Sequence, residues 1–580
     1  MRLLNVHTRR LHEFSDGAIL QYAILSHTWG DDEVTFQDLN PAPCPYHLHE
    51  SEDARRQIMV EWDRRVRAKA GYAKIEGCCR EAIKNGIHWV WVDTCCIDKS
   101  SSSELQEAIN SMYRWYQSAT VCYAYLIDVP LQDDYRLPDS AFRNSRWFTR
   151  GWTLQELIAP RKVIFYNTEW LYIGTRSSLG SIIGEVTAIS MDKCGPDTNL
   201  DAVSVAVRMS WASNRRTTRV EDGAYCLMGL FDVNMPLLYG EGEKAFLRLQ
   251  EAIMAASDDQ SLFAWGYEWP NPRIDHFYRT YPASNRSYLP SSPSAFSGCS
   301  GIAFWDPGNH CDTFTMTQKG VRLSLPLQLC QIPGAGRYWF CFLNCGLDNE
   351  RLLAVPLEAD AAGLSDSTEN VKLLRRVTTG IPFLVDRSTL TSAATAGRQT
   401  IFLSRRSWIP STTISWDRMK YTRLGLEEIN IAAGYFLSGL LPIQAVPSVS
   451  LGLCQFVEGG PFLAVLHIGS QQGSGALVVF TRRGHGQDYR STFAVFLAPH
   501  DFCMVSAMVE EDFFRGLVSS GQTDSSYQFQ LVSPSDDGSF PIGPSAVLTV
   551  EISDGEERRH YKGMAKVAAN ISITSSWCPP

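Results

Sequence analysis

The amino-acid sequence predicts an α/β fold in its first part, a parallel sheet flanked by helices, followed by a helical extension and a C-terminal β-rich, sandwich-like domain. Strand-length apolar segments alternate with helical segments over residues 1–167, as in parallel sheets covered by helices on both faces. Beyond residue 300, short alternating segments lie between Gly, Pro, Ser and Asp clusters, which is typical of β-sandwiches and barrels. At 580 residues, the chain is also too long for one hydrophobic core.

The predicted organisation has four regions. They are an α/β domain at 1–167, a helical extension at 168–265, a Pro/Ser/aromatic linker at 266–300 and a β-rich C-terminal domain at 301–580. Hydrophobic residues make up 44% of the chain and charged residues 20%, as in ordinary folded proteins. The net charge of −9 argues against nucleic-acid binding, since that role needs an excess of basic residues on one face.

The apolar pattern and the cysteines predict a cytoplasmic protein without a membrane span. No stretch approaches the length of a spanning helix, and Met1–Arg10 lacks the apolar core of a secretory signal. The sixteen cysteines include the vicinal pairs Cys78–Cys79 and Cys95–Cys96, which are predicted to be reduced thiols because adjacent cysteines rarely bridge one another. No Cys-x-x-Cys and no histidine pair with zinc spacing occurs, so no metal site is predicted.

Each element of the α/β domain follows from a local pattern. Buried strands are predicted where apolar residues run almost without interruption, and helices where they recur every three or four positions. Residues 1–14 predict a strand pair at the edge of the sheet, and residues 31–50, with three prolines, predict a loop. The predicted buried strands are Gln21–Gly30, His88–Asp93, Thr120–Asp128 and Lys162–Asn167, and the predicted helices are Glu52–Lys84, Ser103–Ser118 and Leu154–Ala159.

Polar residues follow the predicted strands at their carboxyl ends, where ligands bind in sheets of this type. Any one of them can be an ordinary loop or cap residue, but together they predict a binding site. They are Ser26, His27 and Trp29 after the first strand, Asp93, Cys95 and Asp98 after the second, Asp128 after the third and Asn167 after the fourth.

A short tryptophan-rich helix ending at Pro160 carries the candidate catalytic residue, Glu156. Trp152 lies four residues earlier and therefore on the same helical face, where an indole can raise the pKa of a carboxylate and offer a flat surface to a ring. An alternative stays open. Thr153-Leu-Gln-Glu156 also fits a capping box, in which the glutamate only satisfies backbone N–H groups.

Four motifs resemble the fungal heterokaryon-incompatibility (HET) domain and its usual downstream extension, over roughly the first 265 residues. HET domains are in turn distantly similar to TIR domains, so the resemblance implies a TIR/flavodoxin-like sheet. The four motifs are Tyr22–Gly30, Trp91–Asp98, Arg150–Leu157 and Arg216–Leu230.

The resemblance implies a TIR-like NAD hydrolase acting in fungal self/non-self recognition and programmed cell death. In plant-type TIR domains a Trp-Cys-x-x-Glu-Leu motif supplies the glutamate that cleaves NAD, and Trp152–Leu157 is the corresponding run, with Glu156 as the catalytic residue. NAD is then a substrate, and no cofactor is required. The predicted substrate-binding residues are Ser26, His27, Trp29, Asp93, Asp98 and Trp152.

Two other functions are compatible with the sequence. A non-catalytic signalling module would self-associate through its HET domain and bind protein partners or a trigger ligand through its C-terminal region. A cysteine hydrolase would use Cys95 or Cys96 with His27.

Arg215, Arg216 and Arg219 form a basic cluster in the predicted extension. Arginines in this arrangement can hold a phosphate. The neighbouring Glu221 and Asp222 favour a structural ion-pair network instead.

Overall fold

A computed structural model describes the chain from Met1 to Ser575 with gaps, and it divides into two compact units. One unit comprises residues 1–203 and 211–253, and the other comprises residues 204–210 and 254–580. The described residues are 1–15, 21–40, 52–191, 198–267, 288–304, 315–332, 336–348, 351–359, 371–376, 382–386, 399–404 and, as backbone strands, 421–430, 435–441, 450–455, 462–470, 475–483, 490–498, 530–531, 540–543, 546–554 and 566–575.

A seven-stranded sheet forms the centre of the first unit, and its strand order is β2-β1-β4-β3-β5-β6-β7. The four central strands β4, β3, β5 and β6 are parallel, as predicted. The outer pairings are antiparallel, so the sheet is mixed rather than wholly parallel. The strands are β1 Arg2–Asn5, β2 Leu11–Glu13, β3 Tyr22–His27, β4 Trp89–Trp91, β5 Val121–Tyr125, β6 Val163–Tyr166 and β7 Tyr172–Thr175.

Helices cover both faces of this sheet, which confirms the α/β class. Successive strand residues point to opposite faces. The hydroxyl of Tyr123, on one face of the sheet, accepts a hydrogen bond from Asn85 at the end of the helix Tyr72–Lys84. Ser26 points to the opposite face and bonds to Glu156 on the helix Thr153–Ile158. The helices are α1 Phe36–Leu39, α2 Glu52–Ala68, α3 Tyr72–Lys84, α4 Ser102–Ser118, α5 Thr153–Ile158, α6 Gly180–Thr187, α7 Val205–Ala212, α8 Asp222–Tyr225 and α9 Lys244–Ala256.

The predicted helix Glu52–Lys84 is wrong in one respect, because it is broken between α2 and α3. Asp32 causes the break. Its carboxylate accepts a hydrogen bond from the backbone N–H of Ala70 and its carbonyl accepts one from Gly71. A Cβ on Gly71 would lie 2.8 Å from the Cα of Glu33, so only glycine permits this close approach.

The predicted helical extension, residues 168–265, begins with a strand rather than a helix. Strand β7 pairs antiparallel with β6 through a tight turn in which Trp170 has a left-handed backbone, with φ of 60°. The side-chain oxygen of Asn167 accepts hydrogen bonds from the N–H groups of Glu169 and Leu171 and so fixes this turn. Helices α6 to α9 then follow. None of the helices in the described part of the chain combines the length and apolarity needed to cross a membrane.

The second unit is rich in strands, as predicted. Its described strands form a nine-stranded and a ten-stranded sheet, mostly antiparallel. Alternation in the sequence predicts eight strand segments in this region, and one of them, Tyr527–Val532, is described only at Gln530–Leu531. The other seven lie inside observed strands and are Arg337–Leu343, Leu352–Leu357, Thr400–Ser404, Phe462–Ile468, Ala476–Thr481, Phe493–Leu497 and Ala546–Ile552. Residues 268–287 of the predicted linker lie outside the described residues, and Phe296, after them, is fully buried. The strands are β8 Ala303–Phe304, β9 Thr315–Thr317, β10 Gly320–Leu325, β11 Leu327–Ile332, β12 Gly336–Asp348, β13 Arg351–Ala359, β14 Val371–Arg376, β15 Phe383–Asp386, β16 Gln399–Ser404, β17 Tyr421–Asn430, β18 Tyr435–Leu441, β19 Ser450–Gln455, β20 Phe462–Ser470, β21 Gly475–Arg483, β22 Arg490–Ala498, β23 Gln530–Leu531, β24 Phe540–Gly543, β25 Ala546–Asp554 and β26 Lys566–Ser575.

Gly77 on α3 provides a test of the packing on one face of the sheet. A Cβ at this position would lie 2.1 Å from the ring of Trp170, which itself stacks on Tyr125 with ring centroids 5.0 Å apart. We therefore expect Gly77→Ala to lower the free energy of unfolding by about 1–3 kcal/mol through overpacking. The measurement is urea denaturation followed by tryptophan fluorescence.

Gly180→Ala on α6 is the matched control. The nearest atom to its added Cβ is 3.6 Å away, an ordinary contact, and alanine favours the helix. This variant is expected to be as stable as the wild type or slightly more so. Equal stability of the Gly77 variant and the wild type would contradict the packing described.

Candidate functional site

The carboxyl ends of β3 and β4 define the candidate site. In the parallel core, the first strand of the alternation, β3, lies between the second, β4, and the third, β5. The connection from β3 leads to β4 on one side, and the connection from β4 crosses to β5 on the other side, so a crevice opens at the carboxyl end of β3. The residues that end β3 and follow β4 line this edge, which we call the rim.

Glu156 reaches the rim through a buried chain of hydrogen bonds. The hydroxyl of Ser26, at the end of β3, donates to Glu156 Oε2 at 2.5 Å. Ser26 Oγ in turn accepts a hydrogen bond from the indole Nε1 of Trp147 at 2.8 Å. Ser26 and Trp147 are fully buried, and Glu156 is 6% exposed. The carboxyl group is thus held against the sheet and not directed to bulk solvent.

The capping-box interpretation of Glu156 is wrong. The helix α5 begins after Trp152 without any side-chain capping hydrogen bond. The hydroxyl of Thr153 bonds instead to the carbonyls of Trp147 and Arg150. The carboxyl group of Glu156 is therefore free of a capping role and available at the rim.

The environment of Glu156 favours its protonated form. Burial is the main cause, the hydrogen bond from Ser26 opposes it, and the negative charge of Asp93 adds to it, so that the pKa of Glu156 is raised to about 8. The hydroxyl of Tyr116 lies close to this carboxyl group and donates its own hydrogen bond to the carbonyl of Leu25. The free protein at neutral pH therefore holds Glu156 mainly as a neutral acid.

Asp93 lies in the opposite environment at the same rim. Its carboxylate accepts hydrogen bonds from His27 Nε2 at 3.0 Å and from Trp29 Nε1 at 2.7 Å. Burial alone would raise the pKa of Asp93, but these two bonds and the charges of His27 and Lys99 lower it. Two carboxyl groups with pKa values pushed apart are the usual arrangement for acid–base or charge-stabilising chemistry.

Trp29 presents the exposed part of the rim. Its indole is 42% exposed, and the ammonium of Lys99 lies over the ring, 3.4 Å from the centroid. His27 beside it is buried, and its Nδ1 atom has no hydrogen-bond partner. A flat exposed ring next to a buried polar group can bind a planar ligand with a polar substituent.

Three of the predicted strand-end residues have local structural partners instead. Asp98 accepts hydrogen bonds from Gln37 Nε2 on α1 and from Ser100 Oγ in its own loop. Asp128 accepts hydrogen bonds from Ser145 Oγ and the N–H of Arg146 and so begins a 3₁₀ turn. Asn167 fixes the β6–β7 turn. The strand-end pattern therefore includes residues that support loops as well as those that lie at the rim.

Trp152 lies beside Asp222, where its indole opposes the burial that raises the pKa of that carboxyl group. The indole that is joined to Glu156, through Ser26, is that of Trp147. Sequence reasoning missed Trp147 because it lies nine residues before Glu156, outside helical spacing, although it belongs to the same tryptophan-rich segment.

The segment 215–226 packs directly against the start of α5. The Arg215 guanidinium donates to the carbonyl of Arg150 at 2.9 Å and to Thr153 Oγ1 at 3.0 Å. Gly151 N–H donates to the carbonyl of Arg216, and a Cβ on Gly151 would lie 2.4 Å from Thr217 Cγ2. This glycine is needed because the two backbones approach so closely.

The predicted ion-pair network among the arginines 215, 216 and 219 and the acidic pair is not formed. Glu221 accepts hydrogen bonds from the N–H groups of Gly240 and Gly242, and Asp222 accepts one from Tyr239. Among the described residues, no arginine of this cluster lies within 4.0 Å of a carboxylate oxygen. The guanidinium of Arg215 is buried, which lowers its pKa to about 10, and its Nη2 atom has no hydrogen-bond partner.

The cysteine-hydrolase hypothesis loses its support. Cys95 and Cys96 are buried, and the hydrogen bond between the two thiols, together with burial, raises the pKa of Cys95 well above its usual value. A thiol that stays protonated is a poor nucleophile. No cluster of three or more metal-ligating side chains occurs among the described residues.

The buried carboxyl group predicts how stability depends on pH. The pKa of Glu156 is higher in the folded than in the unfolded chain, so its contribution to stability is fully present below about pH 4.5 and is lost as the pH rises to about 8. Glutamine cannot ionise. We therefore expect Glu156→Gln to gain stability over the wild type by up to about 1.4 kcal/mol per pH unit across this window.

The measurement is denaturant unfolding of both proteins at half-unit steps from pH 4.5 to 8.5. Their difference isolates the ionisation of this one group, because every other titrating residue is shared. A difference that stays constant with pH would show that Glu156 ionises as readily in the folded as in the unfolded chain.

Comparison with known proteins identifies the first part of the chain. A family model for heterokaryon incompatibility protein (HET) matches residues 22–133, and one for a domain of unknown function (DUF8212) matches residues 244–330. The chain is 47% identical over 263 residues to the vegetative incompatibility protein HET-E-1 of Podospora anserina. That alignment covers 44% of this chain and 17% of the relative, so the chain spans about a sixth of the length of that protein. No solved structure matches it. Residues 22–133 of the chain therefore carry the HET domain, and the similarity to a vegetative incompatibility protein agrees with that assignment.

Proposed function

We propose that this protein is an NAD glycohydrolase that acts in fungal self/non-self recognition and programmed cell death. The biological part is supported by the HET match and by the similarity to a vegetative incompatibility protein. The catalytic part is carried by one observation, the buried hydrogen bond that places Glu156 against Ser26 at the carboxyl edge of the sheet.

The strand order supports a TIR/flavodoxin-like interpretation of the first sheet. Numbered along the alternation, the parallel core has the order 2-1-3-4, which is shared by flavodoxin-like sheets, and these bind their ligand between the first and third strands. Ser26 ends that first strand. The run from Trp152 to Leu157, which resembles the TIR motif, carries Glu156 to the same place.

The chemistry needs one carboxylate and no acid. When the bond between ribose C1′ and the nicotinamide nitrogen breaks, its electron pair stays on that nitrogen and cancels the ring's positive charge. The leaving group therefore needs no proton. The ribosyl centre becomes oxocarbenium-like and is stabilised by the Glu156 carboxylate. Water then adds to C1′ and releases a proton, which gives ADP-ribose and nicotinamide.

The raised pKa of Glu156 is compatible with this role. A group with a pKa of about 8 costs about 1.4 kcal/mol to ionise at pH 7. The positive nicotinamide ring favours the ionised form when it lies nearby. Binding of the positively charged substrate therefore favours ionisation of Glu156, which is a neutral acid in the free protein. Water in an empty site brings no such charge.

The rim residues have distinct proposed roles. The exposed indole of Trp29 stacks on a ring of the substrate, and Ser26 orients the Glu156 carboxyl group. Asp93, held by His27 and Trp29, accepts ribose hydroxyl groups. Asp98 and Trp152 bond to other protein groups and are left out of this proposed site.

The setting of the proposed activity is the cytoplasm. The cysteines whose side chains the structure describes are free thiols, which persist in reducing compartments. Self-association through the HET domain and binding of a partner or trigger ligand by the C-terminal region complete the proposal.

The direct test is nicotinamide release from NAD by the purified full chain. We expect Glu156→Gln and Glu156→Ala to lower kcat about 100-fold or more. The positive charge that develops on the ribose would lose the buried carboxylate that Ser26 orients. Glu81→Gln is the matched control. Glu81 is equally buried, but its carboxylate bonds to Lys84 and Tyr166 on α3 and β6, so this variant is expected to keep its activity.

The outcomes separate the two functions. No release from the wild type, even after forced oligomerisation, favours a non-catalytic oligomerising module. Release that is equal in the wild type and the Glu156 variants overturns the role of Glu156. Circular dichroism of each variant confirms that it is folded.

The pH dependence of the reaction tests which form of Glu156 acts. Because the carboxylate is required, kcat/KM is expected to rise about tenfold per pH unit and to level off above about pH 8. Asp93→Asn removes a negative charge that raises the pKa of Glu156, so the rise of kcat/KM should occur at lower pH in this variant. A profile that falls between pH 6 and 8 would assign Glu156 the role of a proton donor instead.

A further inference from the structure

We propose that Arg150, Arg216 and Arg219 bind the two phosphates of a dinucleotide beside Glu156. The choice of a dinucleotide rests on the proposed function. The arginine cluster itself rests on separate observations.

Arg150 and Arg216 lie directly opposite each other on paired backbone. The two residues form a parallel bridge, with Arg216 N–H donating to the Thr149 carbonyl at 2.7 Å and Gly151 N–H donating to the Arg216 carbonyl at 2.9 Å. Side chains of directly paired residues start about 5 Å apart on the same side. Like charges in such positions repel, so this pair is unfavourable unless an anion lies between them.

The described part of the protein does not supply that anion. Arg150 Nη1 contacts only the hydroxyl of Thr218, at 3.4 Å, and Arg216 is exposed. The two acidic residues nearest to Arg216 in sequence, Glu221 and Asp222, are already engaged. Glu221 binds the backbone N–H groups of Gly240 and Gly242, and Asp222 binds the hydroxyl of Tyr239.

Arg219 lies within reach of the same place. Its guanidinium packs over the ring of Tyr239, 4.4 Å from the centroid. The Tyr239 hydroxyl donates to Asp222, and the indole of Trp152 lies close enough to Asp222 to oppose the rise of its pKa. This chain of contacts ends two residues from Arg150. The three arginines therefore lie on two segments that meet at the start of α5, in a chain whose net charge is −9.

The cluster also has the right relation to Glu156. Arg150 precedes Glu156 by six residues, and its positive charge acts on the Glu156 carboxyl group. A dinucleotide with its glycosidic carbon at Glu156 carries its phosphates one ribose away. Guanidinium groups bind phosphate oxygens in pairs of hydrogen bonds, which makes arginine the preferred side chain for this ligand.

The test is calorimetric titration of the full chain with ADP-ribose, which cannot be consumed as a substrate. We expect Arg150→Gln, Arg216→Gln and Arg219→Gln each to weaken binding about tenfold, and added salt to weaken binding to the wild type. Arg216→Lys, which keeps the charge, should recover part of the affinity. Arg64→Gln, an exposed arginine on α2 paired with Glu61, is the control and should bind as the wild type does.

Adenosine, which has no phosphate, is the control ligand. Its affinity is expected to be unchanged in all three variants. Absence of ADP-ribose binding to the wild type, equal ADP-ribose affinity in all proteins, or an equal loss for adenosine would each overturn the inference.

This inference and the proposed function can fail separately. A wild type that cleaves no NAD but binds ADP-ribose through the three arginines overturns the enzymatic proposal and supports the phosphate site. A protein that cleaves NAD with the same KM in the three variants overturns the phosphate site and supports the enzymatic proposal.

Discussion

The hydrogen bond between Ser26 and Glu156 determines the architecture of the candidate site. It joins residues 130 positions apart, the end of the first parallel strand and a six-residue helix. Such a short helix has little stability of its own. Packing of α5 on the sheet, the buried Trp147–Ser26–Glu156 chain and the Arg215 bonds at its start fix its place. The same burial that orders the helix also keeps its carboxyl group neutral.

The rim holds two carboxyl groups in contrasting states. Asp93 is surrounded by donors and stays ionised, whereas Glu156 has few donors and keeps its proton. The two effects are linked, because the charge on Asp93 is one cause of the raised pKa of Glu156. A cationic ligand between them would therefore be attracted by the negative charge of Asp93, and its own charge would favour ionisation of Glu156. Uncharged ligands gain neither interaction.

The sequence predicted the fold well in segments whose hydrophobic residues follow one pattern. It predicted the fold less well where a single tertiary contact determines the structure. Continuous apolar runs predicted β3, β5 and β6 correctly, because a strand that is buried on both faces is apolar along its whole length. The break at Gly71 depends on Asp32, a tertiary partner that no local pattern shows. At the candidate site, Ser26 was predicted from its position at a strand end and Glu156 from its place on a short tryptophan-rich helix. Trp147 was missed because its contact is across the fold. Trp152 has a helical backbone that continues into α5, but its acidic neighbour is Asp222, from a distant part of the chain.

The limits of the HET match explain why the site needs more than the HET domain. Residues 22–133 contain Ser26, His27, Trp29 and Asp93 but neither Trp147 nor Glu156. The start of α5 is held by Arg215 and by the backbone of Arg216, which lie further along the chain. Gly151, where this segment packs against the start of α5, has no room for a side chain. A fragment that ends with the matched region would therefore keep half of the rim and lose the carboxyl group, so the unit that can carry the chemistry extends at least to the segment 215–226.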